Sequence, residues 1–331
     1  MCNRVTIPLA ALLAALAIAW AGPVPVAGQG PPSGTKPGAK PATKWTPPRT
    51  PWGDPDLQGQ WNSQTSTPLQ RPLQGPLADR ETVSEEEAET IEETNRQSFD
   101  RPPTSGDPGT YNAFWRDSGK SLTRTSLIVD PPDGRIPPFT PEAQRRLAAE
   151  RAERSRRGPA DSPDTYEDLT VWTRCISRGW NGIGSWYSSN YQIFQSPGYV
   201  VVLQELIHEA RIIPTSDRPH LPDHVRQWMG DSRGRWDGNT LIVDTTNFDA
   251  RTNFQGSRDT LHLIERFTRV DENTIDYQFT IDDPKTFTRP WTVSKPMRRV
   301  AGRVSLFEYA CHEGNYAMYG ILAGARTKDT R

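Results

Sequence analysis

The chain has 331 residues, with 39 lysines and arginines against 40 aspartates and glutamates. That balance leaves no basic face of the kind nucleic acid requires. With 31 prolines, 25 glycines and a mean hydropathy of −0.71, the chain is polar and turn-rich, and its apolar residues suffice for one main core.

Residues 1–21 read as a secretory signal peptide. Arg4 supplies the positive charge, residues 7–20 form an apolar run too short to span a bilayer, and Ala19 and Ala21 are the small residues a signal peptidase needs. Cys2 is not preceded by a lipobox and is not read as a lipidation site. Residues 22–50 are a Pro/Gly/Lys linker that cannot bury enough surface to offset ordering entropy. The mature protein is therefore expected to be secreted or periplasmic, with no membrane span. Two cysteines remain, Cys175 and Cys311, and an even pair in an exported chain predicts a disulfide.

Residues 51–190 read as an irregular, helix-containing part packed on the core. Trp52 and Trp61 stand among turn formers and suggest a segment pinned by aromatic burial. Residues 81–95 form a weak acidic surface helix with Val83 and Ile91 as its stripe, and residues 100–119 are loop-like. A short strand at 126–130 stops at Pro131-Pro132-Asp133-Gly134. Thr140 then caps a second surface helix that starts at Pro141 and runs to Arg157.

Residues 191–326 read as the antiparallel β core. A hairpin turns at Pro197-Gly198, with residues 199–213 as a long second arm. Further hairpins turn at Asp237-Gly238-Asn239 and at Asp271-Glu272-Asn273, and strands follow at 291–300 and 306–310. Strands joined by short turns, without intervening helices, predict a meander closed into a barrel, or else a two-sheet sandwich. A barrel is favoured because it removes exposed edges.

Alternation in 275–281 is clean, with Ile275, Tyr277, Phe279 and Ile281 on one face. Elsewhere ionisable groups interleave with aliphatics, either on solvated faces or around a polar-lined cavity in which His, Arg and Glu converge. For the cavity, His262 or His312 is the candidate general base and Glu265 the orienting carboxylate. Arg211 or Arg266 is the candidate anion clamp, and His208 and Trp236 are further ligand-binding candidates. His220 and His224 have a ligand-like spacing, but Pro219 and Pro222 break the helix it needs, so no metal is assigned. Gly230-Asp231-Ser232-Arg233-Gly234 matches a nucleophile elbow in letters only, because a hairpin follows instead of a helix. No cofactor is implied, and the oligomeric state is left open.

Three G-x-W triplets, at Gly59, Gly184 and Gly234, give a weak resemblance to lipocalins, barrels that hold one small ligand. Longer strings are more specific: residues 52–61, 124–137, 226–248 and 309–315 resemble a group of exported bacterial proteins without an established activity. This resemblance implies export and carries over no catalytic residue. The favoured function is a small-molecule or sugar-binding barrel. The alternatives are a cofactor-independent hydrolase, lyase or isomerase using His/Glu chemistry, and a structural envelope protein.

Overall fold

The computed structural model describes residues 45–102, 112–115, 119–156, 163–179, 189–302 and 306–329. Residues 1–21, read above as a signal peptide, most of the expected linker, Gly184, Trp186 and Arg157 lie outside them. The strands are β1 (Gly59–Asn62), β2 (Ile128–Asp130), β3 (Asn190–Ser196), β4 (Tyr199–Gln204), β5 (Ala210–Pro214), β6 (Asp231–Asp237), β7 (Thr240–Thr246), β8 (His262–Asp271), β9 (Thr274–Asp282), β10 (Trp291–Ser294) and β11 (Met297–Arg299). The α-helices among the described residues are α1 (Glu85–Phe99), α2 (Pro141–Arg156) and α3 (Tyr316–Asp329).

Nine strands form one antiparallel path, β5-β4-β3-β1-β11-β9-β8-β7-β6, and its ends lie against each other, so the sheet is a nearly closed barrel. Hairpin-linked strands make two meanders, β3–β5 and β6–β9, and β1 with β11 zips them together. The β5–β6 seam depends on Gly234, where a Cβ would stand 3.0 Å from Ile213 Cγ2 and 3.2 Å from Thr215 Cγ2. Arg211 spans the same seam, donating from Nη2 to Ser232 Oγ at 3.2 Å.

Alternation fills the interior. Ile193, Ile213, Leu241, Leu263, Ile275 and Ile281 are fully buried, as are Trp61 and Trp291. Trp61 closes one end, with the guanidinium groups of Arg299 and Arg269 at 4.8 and 5.7 Å from its ring. Trp52, its expected partner in burial, is exposed. At the other end Phe287 and Phe254 pack on Trp291.

Helix α1 begins at a capping box, Ser84 with Glu87, and Val83 and Ala88 are buried at this end of it. Thr140 caps α2 as its sequence suggests, accepting from Ala143 N at 3.1 Å. The charges of α2 are not all solvated: Arg146 donates to Gly256 O at 2.6 Å, and Glu150 pairs with Arg258 at 2.8 Å.

Three expectations need correction. The arm 199–213 is not one strand, because the chain reverses at Glu205–Glu209 and β4 pairs with β5. The reversal uses Ile207 and His208 in the left-handed region (φ 57° and 44°). β-Branched and bulky residues rarely adopt that conformation, so no Gly, Asn or Pro marks the turn. No strand forms at 306–310. A third helix, α3, follows instead; its Gly320 and Gly324 lower helix propensity and mask it in the sequence.

Candidate functional site

The strands place a belt of polar side chains around the barrel's waist. Arg211 (β5) forms a two-pronged pair with Glu265 (β8), Nη1 to Oε1 at 3.0 Å and Nη2 to Oε2 at 2.5 Å. Tyr277 (β9) donates its hydroxyl to Glu265 Oε1 at 2.8 Å, and Ser232 (β6) bonds Thr245 (β7) at 2.9 Å. Tyr191 (β3), the cross-strand partner of Trp61, faces Ser63, the residue two beyond Trp61 on the same face. Glu265 is fully buried and Arg211 only 6% exposed.

Burial works against the Arg211 charge, but the Glu265 carboxylate more than offsets it and the guanidinium is held above its usual range. Burial pushes Tyr191 up to about 12, and burial together with the Glu265 charge raises Tyr277 well above a normal phenol. Such a network serves as a fixed frame for the barrel, although Arg211 Nε within it is buried without a hydrogen-bond partner among the described residues.

One member of the belt stands apart. β10 and β11 keep one register along β9, Ser294 opposite Gln278 and Met297 opposite Ile275, so Lys295 stands opposite Tyr277 and donates its backbone N–H to Tyr277 O at 2.8 Å. Its side chain therefore shares the inner row of Trp291, Val293 and Met297. Lys295 is 3% exposed, and among the described residues its ammonium has neither a hydrogen bond nor an ion pair. Burial alone lowers it to about 8.

The outer face of the same strands carries a second network. His220 lies between Asp231 (Nδ1 to Oδ2, 2.9 Å) and Asp244 (Nε2 to Oδ1, 3.0 Å). His262 Nε2 meets the other Asp244 oxygen at 2.7 Å, and its Nδ1 stands 3.6 Å from Asp282. Hydrogen bonding to Asp244 raises His262 and, reciprocally, lowers Asp244. No group of three or more His, Cys, Asp or Glu side chains among the described residues is arranged to hold a metal ion.

The predicted site residues thus separate. Arg211 and Glu265 meet inside the barrel. His262 and Glu265, three apart on β8, point to opposite faces, so this base and carboxylate cannot act on one substrate. Arg266 is exposed outside, and Trp236 is half-buried on the inner side. His208 is exposed on the β4–β5 turn, beside Glu209, whose carboxyl burial raises and which accepts from Ser177 Oγ at 2.7 Å. His312 is exposed next to Cys311, which is disulfide-bonded to Cys175; Asn315 Nδ2 ties this segment to Thr173 O at 2.8 Å. Ser232 of the elbow-like string bonds only within the belt, and β7 follows it.

A groove of about 990 Å³ lies between α1 and the outer wall of β9, β10 and β11. Its lining carries Glu85, Glu89, Glu92 and Arg96 of α1, Lys120 and Arg124 of the segment before β2, Asp276 and Gln278 of β9, and Arg298 of β11. Glu92 accepts from Ser121 N at 3.2 Å and Arg124 donates to Ser294 O at 2.8 Å, whereas Glu89 and Arg298 carry no ion pair among the described residues. Among the described residues, no aromatic side chain lines it. No local sequence pattern marks this groove, because it joins a helix to the outward residues of distant strands.

Known proteins offer no guide here: no family model, no curated protein and no solved structure matches the chain.

Proposed function

We propose that this chain is an exported β-barrel protein that binds a small charged molecule in the groove between α1 and the outer barrel wall. The carrying observation is the groove itself: about 990 Å³, lined by both acidic and basic side chains, of which Glu89 and Arg298 carry no ion pair among the described residues. A volume of that order suits a small ligand, and opposed charges favour one with both signs, such as an amino acid or short peptide. Among the described lining residues charge rather than aromatic surface predominates, which favours a charged ligand over a sugar. The disulfide supports an oxidising compartment, in line with the signal-peptide reading, and no helix among the described residues is long and apolar enough to cross a membrane.

Thermal-shift measurements with amino acids, short peptides, polyamines and dicarboxylates test the reading. At least one zwitterionic compound is expected to raise the melting temperature, with the shift lost in Arg298→Glu and in Glu89→Lys. If none does, or if the shift survives both reversals, the groove is not the binding site.

A further inference from the structure

We infer that the groove takes an extended oligopeptide of about four or five residues with both ends charged, and not a single amino acid. This rests on the groove reading above and follows from the groove's length and its uncommitted charges. On α1 the lining residues run from Glu85 to Arg96 along one helix face. At about 1.5 Å per residue that face is roughly 16 Å long. Residues 120–124 run beside α1 in the opposite direction. Ser121 N donates to Glu92 at 3.2 Å at one end, and Thr123 O accepts from Val83 N at 2.8 Å at the other. Ser294, Pro296 and Arg298 form one alternating outward row and Thr274, Asp276 and Gln278 of β9 another, in a single register. At about 3.3 Å per residue the 120–124 and 294–298 stretches are each roughly 13 Å long. An extended peptide advances by the same step, so about four or five residues match the groove, and one amino acid covers about a quarter of it.

Several lining charges are already engaged. Glu93 pairs with Arg96 at 2.6 Å, Arg124 donates to Ser294 O at 2.8 Å, and Asp276 accepts from Gln278 Nε2 at 2.9 Å. The side chains of Glu85, Glu89, Lys120 and Arg298 make no hydrogen bond or ion pair among the described residues, which leaves two negative and two positive charges for a ligand. A polyamine or a dicarboxylate answers only one sign. A free amino acid carries both, but on the same carbon. Lys120 adjoins the Ser121–Glu92 bond and so lies roughly 10 Å along α1 from Glu85. Only a ligand with its ammonium and carboxylate held far apart reaches both. A peptide does so, and its main-chain N–H and C=O groups find polar partners in the Thr274, Asp276 and Gln278 row.

Alanine and its linear oligomers of two to eight residues, with free ends, serve as probes in calorimetric titration of the whole protein. Affinity is expected to rise at least tenfold from alanine to the pentamer and to level off beyond it. Acetylating and amidating the pentamer should weaken it at least tenfold. Glu85→Lys and Lys120→Glu, both at exposed positions, should each weaken the free pentamer at least fivefold. Equal affinity for alanine and the pentamer, both lost in Arg298→Glu, overturns the peptide inference and leaves the groove as an amino-acid site. Affinity that keeps rising to the octamer, or that survives blocked ends, overturns it as well. If no oligomer binds while another small charged compound does, and is lost in Arg298→Glu, the peptide inference fails alone. If nothing binds, the groove reading falls with it.

Discussion

The strands β6 to β9 carry a charged network on each face, and the two are built on opposite terms. Inside, Arg211, Glu265 and Tyr277 are almost wholly withdrawn from water and every contact is short and direct. Outside, Asp231, His220, Asp244, His262 and Asp282 form a comparable chain of contacts, but His262 and Asp244 keep 35% and 42% of their side-chain surface in solvent. The inner network holds its charges because they were placed together, and losing one partner strands the other in a low dielectric. The outer network can always fall back on water and is screened by salt. The same residue chemistry on one sheet should therefore give large, salt-insensitive effects on one face and small, pH- and salt-sensitive effects on the other.

The sharpest way to break this contrast is Glu265→Gln. It leaves the Arg211 guanidinium buried without its counter-charge and should cost about 3–5 kcal/mol in urea unfolding, whereas the double change Arg211→Met with Glu265→Leu should recover most of the loss. A double variant as unstable as the single one would mean that the pair stabilises the barrel outright. Lys295 gives the next largest effect, with opposite sign. Its folded-state value of about 8 lies below the unfolded 10.5, so the unfolded chain binds more protons between them and stability should rise with pH across that window, by about 3 kcal/mol in order of magnitude. Lys295→Met should be more stable than the parent at neutral pH and should lose that rise. Tyr277→Phe, which deletes one hydrogen bond to a charged carboxylate, should cost about 2 kcal/mol, unchanged by added salt.

The inner face was the more legible of the two in the sequence. The alternation of Ile275, Tyr277, Phe279 and Ile281 marks β9 and its buried side directly, whereas joining His262 and Glu265 in one site runs against their three-residue spacing on β8, which sets them on opposite faces. The turns at Asp237-Gly238-Asn239 and Asp271-Glu272-Asn273 use residues whose backbone preferences announce a hairpin. What could not be read is long-range. That β1 and β11 zip two meanders together depends on pairings such as Trp61 with Tyr191 across a large sequence separation. The Ile207–His208 reversal violates local preference and so is invisible to it. His220, dismissed as half of a metal motif, gains its partners only because a loop folds back onto β6 and β7.

The smallest expected effect lies on the outer face and tests the contrast from its weak side. Hydrogen bonding to Asp244 raises His262 above the usual imidazole value of 6.5, so its contribution is complete below that value and is lost as pH rises through the raised one. Asp244 is lowered from 3.8, first by the same bond, so its contribution is complete above 3.8 and is lost as pH falls through the lowered value. The pair should therefore stabilise the fold only within a window bounded by these two titrations. With this much exposure the stabilisation should be at most about 1 kcal/mol. The difference in unfolding free energy between the parent and His262→Gln should be flat in mildly acidic solution, shrink towards alkaline pH, and diminish with added salt. A difference that persists unchanged into alkaline solution and high salt would show that the outer chain is held by packing, and the distinction drawn between the two faces would fail.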